Sequence, residues 1–467
     1  MHHDGRGTRQ TPLWTSQDLA AATGGSASAD FAVTGVAFDS REIGPGDLFL
    51  ALKGEATDGH RFTGQAIASG AAGLLVSEPV DAPHILVADT TKALNDLGRA
   101  ARARTDATII AVTGSVGKTT VKETLYTALE RGAQDRVHRS VKSYNNHTGV
   151  PLSLARMPAD SRFGVFEMGM NHAGEIADHT RLARPHVAII NTIASAHIEH
   201  LGSMEAIADA KAEVFEGLEP GGTAIIPFDS PYYDRLRAAA ERAGARVVTF
   251  GLGEGADARV TYHVPTAAGT LATAKIGDAQ LSFTIGQPGE HMVLNALAVL
   301  AAVQAAGGDL GLAALALAEL PGLKGRGARH LIPVAGGEAL LIDESYNANP
   351  ASMAATLAVL GAEKVRGRRI AVLGTMRELG AHSAREHAAL AAPIAAAEVD
   401  CAILVGDEMD PLARALPEGI EHEEVPDASA AIAALRGRIR PGDAILVKGS
   451  NAIGLSRLVE ELAEEAA

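Results

Sequence analysis

A chain of 467 residues, 47% hydrophobic and 21% charged, has the profile of a folded globular protein and the length for two to four domains, each able to bury its own core. Its 41 basic and 56 acidic residues leave a net charge of -15, which argues against broad attraction to nucleic acid or anionic membranes, so any phosphate site must be local. Cys401 is the only cysteine, which excludes an intramolecular disulfide and a cysteine-based metal cluster. Neither a membrane-length apolar run nor a basic-then-apolar leader is found, so no membrane insertion is expected and the cytoplasm is the default compartment. The opening residues 1–10 carry His2 and His3 among small and charged side chains and read as a frayed end rather than a metal site.

In chain order, short β-like runs at 32–38, 47–52, 73–77 and 85–88 alternate with Gly and Pro turns and close on a helical pattern at 92–104. From residue 107 the pattern changes. Runs at 108–112, 164–168, 187–192, 223–227 and 247–250 are short and apolar, as parallel strands buried on both faces should be, and helical periods at 118–131 and 204–218 lie between them. Residues 257–285 alternate apolar with polar and predict a small antiparallel insertion, followed by an Ala/Leu-rich helical pair at 291–320. Residues 321–327, with Pro321 and three glycines, read as a linker, after which strands at 339–342, 369–373, 401–405 and 444–447 restart the alternation. The expected fold is α/β in three domains, at 1–104, 105–321 and 322–467: a small N-terminal α/β domain, a central phosphate-loop domain on a parallel sheet, and a C-terminal Rossmann-like domain. A Gly-containing hinge between the last two suits a ligand bound in their cleft, where closure excludes water.

The strongest local signal is the apolar run 108–112 followed by Thr113-Gly114-Ser115-Val116-Gly117-Lys118-Thr119-Thr120. Glycines let successive backbone N–H groups point inward, and the start of a helix adds partial positive charge. Lys118 then supplies a full charge for the β- and γ-phosphates, and the Thr119 hydroxyl can ligate Mg²⁺. Val112 stands where the usual pattern has its first glycine, so the generic motif is met only in its second half.

In an open α/β sheet, ligands lie at the carboxyl ends of strands, so residues just past the other strands should face the same phosphates. Glu167 is an acid in an otherwise apolar strand and needs a cation, for which Mg²⁺ is the obvious candidate. The loop at 191–197 follows the next strand and ends on His197, which could ligate a second metal through a neutral imidazole. Lys211, on a helical pattern, reads from the pattern alone as a solvated lysine.

In this order, the phosphate loop, Glu167, the loop to His197 and Lys211 resemble the Mur ligase family, and the resemblance extends over nearly the whole chain. Phe38-Asp39-Ser40-Arg41, the run 45–54 ending in Lys53-Gly54, and Asp58-Gly59-His60-Arg61-Phe62 look like the domain that holds the UDP end of the substrate, which implies contacts from Ser40, Arg41, Lys53, Asp58 and His60. Ser143-Tyr144-Asn145-Asn146-His147-Thr148-Gly149 is similar to the segment that contacts the muramoyl substrate, through Asn145, Asn146 and Thr148. The resemblance further implies Asn295 at the adenine, Arg326 of Gly325-Arg326-Gly327 at the phosphates, and Asp343 or Glu344 at the ribose. Tyr346, Asn347 and Asn349 would position the incoming substrate, and Lys211 would be carbamylated to become an anionic metal ligand.

Leu373-Gly374-Thr375-Met376-Arg377-Glu378-Leu379-Gly380 and Val447-Lys448-Gly449-Ser450 complete the pattern, whereas 451–455 lacks the expected Arg-containing continuation. The Asp-Asn-Pro-Arg acceptor motif of the diaminopimelate- or lysine-adding members is missing, as is the dinucleotide-fold Gly pattern of the alanine- and glutamate-adding ones. What remains implied is an ATP-dependent ligase, a monomer using two Mg²⁺ ions, that joins D-alanyl-D-alanine to UDP-N-acetylmuramoyl-tripeptide through an acyl phosphate.

Overall fold

The computed structural model describes residues 12–54, 57–266, 269–320 and 322–464; residues 1–10, with His2 and His3, and Pro321 of the expected linker lie outside the described residues. At the N-terminal end β1 (Trp14–Thr15), β2 (Ser26–Ala27), β3 (Ala32–Val33), β4 (Gly35–Ala37), β5 (Asp47–Leu50), β6 (Gly73–Val76) and β7 (His84–Leu86) are short. β1 pairs antiparallel with β3, and the other five form a sheet in the order β2-β7-β6-β5-β4, with only the β2 edge antiparallel. Both β5 and β6 are buried along their whole length, which is why they carry Leu, Phe and Val without alternation. Asp89 then caps helix Thr90–Ala103 by accepting from the amides of Thr91 and Lys92 at 2.8 and 2.9 Å. Leu48 and Leu75 share one hydrophobic cluster with Ala111 and Ile190, so the first domain is packed onto the second.

The central sheet holds β8 (Thr108–Thr113), β9 (Val137–Arg139), β10 (Phe163–Glu167), β11 (Val187–Ile190), β12 (Thr223–Pro227), β13 (Arg246–Gly251), β14 (Ala258–Thr266), β15 (Gly269–Ile276) and β16 (Ala279–Ile285). Their order is β16-β15-β14-β13-β12-β11-β8-β10-β9, parallel from β9 through β14. The expected antiparallel unit is present as β14, β15 and β16, and it extends this sheet because β14 pairs parallel with β13. The reason is physical, since the alternating face of β14 to β16 is covered by helices Glu290–Ala305 and Leu310–Ala318, which share a core with Ala272, Ala274 and Phe283. Chain order reverses around β8, because β10 returns between β8 and β9 while β11 lies on the other side. The crevice at the carboxyl ends of β10, β8 and β11 is therefore the expected ligand position.

The C-terminal sheet contains β17 (Ala328–Val334), β18 (Gly337–Glu344), β19 (Arg369–Gly374), β20 (Cys401–Val405), β21 (Glu421–Val425) and β22 (Ala444–Lys448) in the order β17-β18-β22-β19-β20-β21, with only β17 antiparallel. Ends of β18, β22 and β19 adjoin, so the loops that follow them share one rim. Among the described residues no helix is long and apolar enough to cross a membrane.

Candidate active site

The phosphate loop connects β8 to helix Lys118–Ala133 through two glycines at which any side chain would be strained. Gly114 has φ +150° and a Cβ there would lie 1.8 Å from Asn191 Oδ1; Gly117, at φ +80°, has Asn191 Nδ2 2.9 Å from the same point. Val121 is the first residue whose amide bonds back to Gly117 O, at 2.9 Å, so the amides of Lys118, Thr119 and Thr120 form the open first turn that an anion can occupy. Lys118 Nζ donates to Gly114 O at 2.9 Å, and burial holds its ammonium below the usual lysine range. Ser115 serves the loop itself. Its amide donates to Thr192 O, and its Oγ bonds both to Ala194 O and from Ala194 N at 2.8 Å, which fastens the phosphate loop to the loop leading to His197. Asn191, which had no role in the sequence reading beyond membership of that loop, donates from Nδ2 to Val116 O at 2.6 Å and meets Asn295 Oδ1 at 3.3 Å.

Glu167 ends β10 with 1% exposure, and both its oxygens are engaged: Thr119 Oγ1 donates to Oε2 at 2.8 Å and Asn145 Nδ2 to Oε1 at 2.7 Å. Thr119 and Glu167 are thus brought together, while Asn145, expected at the muramoyl substrate, donates to the same carboxylate, and the bonded partners of this buried carboxylate are neutral. Lys211 is also buried, at 2% exposure on helix Met204–Ala212 rather than solvated; burial, and Lys118 nearby, hold its amine well below the ordinary lysine value. The solvated reading fails because the helix turns this position inward. Among the described residues no three His, Cys, Asp or Glu side chains form a metal-binding group. His197 lies against Glu378 of the C-terminal domain, with Nδ1 2.5 Å from Oε2.

At the hinge, Asp343 is 1% exposed and spends its carboxylate on the backbone, accepting from Gly325 N at 2.6 Å and from Ser345 N and Oγ at 3.1 and 2.6 Å. Glu344 is the more open acid, 3.5 Å from Lys448 Nζ, with burial raising its carboxyl and Lys448 opposing that rise. Arg326 sits over the ring of Tyr346, 4.1 Å from its centre. Asn349 caps helix Pro350–Ala362 by accepting from Ser352 N at 2.9 Å, while Asn347 is exposed and its carbonyl receives Lys448 Nζ at 2.9 Å.

Several residues expected at the UDP end and the muramoyl segment are occupied locally. Ser40 Oγ donates to Gln65 at 2.9 Å, and Arg41 pairs with Asp39 while remaining 81% exposed. Lys53 bridges to Asp58 through the backbone; Asp58 Oδ1 accepts from His60 N and Nδ1, which leaves Nε2 to accept from Ser77 N at 2.9 Å. Asn146 Oδ1 accepts from Gly149 N and the Thr148 hydroxyl, starting helix Gly149–Ala155. Glu42, which the sequence reading passed over, joins two domains: it accepts from Lys142 Nζ and, at 2.7 Å, from Tyr144 OH, with Arg156 Nη2 at 3.6 Å.

A half-buried lysine and an open helix start beside a Thr–Glu pair, at the switch point of a parallel sheet, define an enzyme that uses a nucleoside triphosphate. Sequence comparison narrows the class. The chain matches the Mur ligase middle domain over residues 112–303, the glutamate ligase domain over 331–451 and the family's catalytic domain over 32–137. It is 36% identical to the UDP-N-acetylmuramoyl-tripeptide--D-alanyl-D-alanine ligase of Escherichia coli, covering 93% of this chain and 95% of that one, and 34% identical to the Bacillus subtilis enzyme of the same name, covering 92% and 93%. A crystal structure of MurF from Acinetobacter baumannii superposes with a TM-score of 0.83 at 32% identity, covering 97% of this chain and 99% of that one. MurF from Thermotoga maritima in complex with ADP gives 0.77 at 27% identity, with 93% and 98% covered. The chain belongs to the Mur ligase family.

Proposed function

We propose that this protein is the ATP-dependent ligase that joins D-alanyl-D-alanine to UDP-N-acetylmuramoyl-tripeptide, forming the pentapeptide precursor of peptidoglycan in the cytoplasm. The observation that carries the chemistry is the Thr119–Glu167 contact of 2.8 Å beside half-buried Lys118. The identity of the substrates rests on relatives matched over more than nine-tenths of the chain. Domain 1–104 would hold the UDP end, 105–321 ATP, and 322–467 the incoming dipeptide.

A free carboxylate is a poor electrophile, so the tripeptide's terminal carboxylate first attacks the γ-phosphorus of ATP, releasing ADP and forming an acyl phosphate. Both reactants are anions. Lys118 and Arg326 offset their repulsion and stabilise the transferring phosphoryl group, while the amides of Lys118, Thr119 and Thr120 orient the phosphates. The dipeptide amine then attacks the acyl carbon, the tetrahedral intermediate expels phosphate, and the amine proton leaves to solvent; with an α-amino pKa of about 8 a minority is already neutral. Closure about residues 322–327 keeps water from the acyl phosphate.

Mg²⁺ suits the residues present, because Glu167 is a buried anion whose bonded partners are uncharged donors. Thr119 and Glu167 would hold one ion, with His197 and a carbamylated Lys211 for a second. When bound, Mg²⁺ supplies charge stabilisation to the phosphoryl oxygens. A buried Lys211 amine, once deprotonated, can take up CO₂, forming a carbamate anion and releasing a proton, which gives Lys118 an anionic neighbour. For the ribose, Glu344 is favoured over Asp343, whose oxygens are committed to the hinge backbone. Asn295, which borders a narrow recess with Ile285, Met292 and Leu317, would meet the adenine through its side-chain amide.

The test crosses UDP-muramoyl-tripeptide with D-alanyl-D-alanine and with single amino acids, following phosphate release and product mass. Release only with both co-substrates, and a product mass equal to their sum less water, is expected. ATP hydrolysis indifferent to both would instead mark a phosphate-loop switch or motor.

A further inference from the structure

The contact between His197 and Glu378 joins two domains, and both partners sit in backbone conformations that side chains seldom adopt: φ is +61° at His197 and +63° at Glu378. Such strain persists only where the surroundings impose it and marks a functional position more often than an accident. Here the surroundings are firm on both sides. On the C-terminal side, the loop after β19 is pinned by Met376 N donating to His387 Nε2 at 2.9 Å and Arg377 N to Ser450 Oγ at 3.0 Å. On the central side, Ser115 holds Ala194. Ile198 packs against the cores of both domains, so the segment that begins at His197 is the seat on which the C-terminal domain rests.

His197 Nδ1 is shielded from solvent, and Glu378 is the acid beside it, 2.5 Å away though off the line of an aligned hydrogen bond. A carboxylate on one ring nitrogen fixes the imidazole tautomer and leaves the other nitrogen as the lone-pair donor, the arrangement that orients and strengthens histidine as a metal ligand. We infer that Glu378 is the positioning residue of His197: the C-terminal domain delivers the carboxylate that holds Nδ1–H and leaves Nε2 as the ligand nitrogen, so the central site is complete only when that domain is docked. The inference rests on the reading of the central crevice as the nucleotide and Mg²⁺ site. It gives closure a chemical consequence, since an undocked domain leaves His197 unoriented and ATP less reactive until the dipeptide domain is in place.

The experiment uses the full chain and Glu378→Gln and Glu378→Asp. In metal-free protein labelled with ¹⁵N-histidine, the His197 signals, assigned by their loss in His197→Ala, show Nδ1–H and a bare Nε2 in the wild type and a tautomer mixture in Glu378→Gln. Amides 198–202 exchange faster in that variant. The Mg²⁺ concentration for half-maximal turnover rises about 10- to 100-fold in Glu378→Gln and recovers in part in Glu378→Asp. Wild-type ¹⁵N shifts together with an unchanged Mg²⁺ requirement in Glu378→Gln overturn the inference alone. Failure of the wild type to bind ADP, measured by calorimetry, overturns the reading beneath it.

Discussion

Replacing Glu167 by glutamine separates charge from hydrogen bonding at the centre of the site. The carboxylate accepts from Thr119 Oγ1 at 2.8 Å and from Asn145 Nδ2 at 2.7 Å, in a position only 1% exposed. Glutamine can keep both bonds, because its carbonyl takes the Asn145 amide and its NH₂ donates to the Thr119 hydroxyl, which turns its own proton toward Ser143 Oγ at 3.5 Å. Stability should therefore stay within about 1 kcal/mol of wild type in urea unfolding, whereas Glu167→Ala orphans two buried donors and should cost about 2–6 kcal/mol. Loss of the negative charge would remove the anionic ligand proposed for Mg²⁺. A contribution of several kcal/mol to phosphoryl transfer, taken as about 3–4 kcal/mol, corresponds to a fall in kcat of ~10²–10³-fold in a phosphate-release assay with both co-substrates. Turnover within about threefold of wild type in Glu167→Gln would refute the assignment of this carboxylate to the metal.

Lys211 has a depressed amine, so in CO₂-free buffer the unfolded chain binds a proton that the folded chain lacks at any pH between its folded value and the ordinary 10.5. Wild-type stability should rise with pH through that window, and Lys211→Met should flatten the slope; denaturant midpoints across the window check this. Added bicarbonate should raise wild-type turnover and leave Lys211→Met unchanged. Glu344→Gln should raise the KM for ATP about tenfold and erode the preference for ATP over its 2′,3′-dideoxy analogue, the scale of one charge-assisted hydrogen bond. Asp343→Asn should instead lower the Tm without changing that preference. Glu42→Gln and Tyr144→Phe should be coupled by about 1–2 kcal/mol in a double-mutant cycle on unfolding, because one hydrogen bond of 2.7 Å joins them across the domain boundary.

Strands buried on both faces were legible in the sequence because burial removes the need for alternation: 223–227 and 401–405 match β12 and β20 end to end. Edge strands were not. β21 reads Glu-His-Glu-Glu-Val and is largely exposed, and β9 is three partly buried residues, so neither carries an apolar run. Strand β17 lay hidden just beyond the linker glycines, where its one partner, β18, is needed to define it. The phosphate loop and Glu167 could be found because their chemistry is written locally, in glycines before a lysine and an acid in an apolar strand. Glu42, Asn191 and Glu378 could not be assigned, since each acts on a partner far away in the chain: Tyr144, the loop at Val116, and His197. Asp343 shows the converse, an acid in a diagnostic motif whose oxygens hold the hinge together.

The most direct test of the account follows oxygen. With the terminal carboxylate of the tripeptide precursor labelled with ¹⁸O, attack on the γ-phosphorus and later expulsion of phosphate must carry one carboxylate oxygen into the released phosphate, as mass spectrometry reads. One ¹⁸O per phosphate, formed only in the presence of dipeptide, is the predicted result; unlabelled phosphate, or label appearing in AMP, would contradict it.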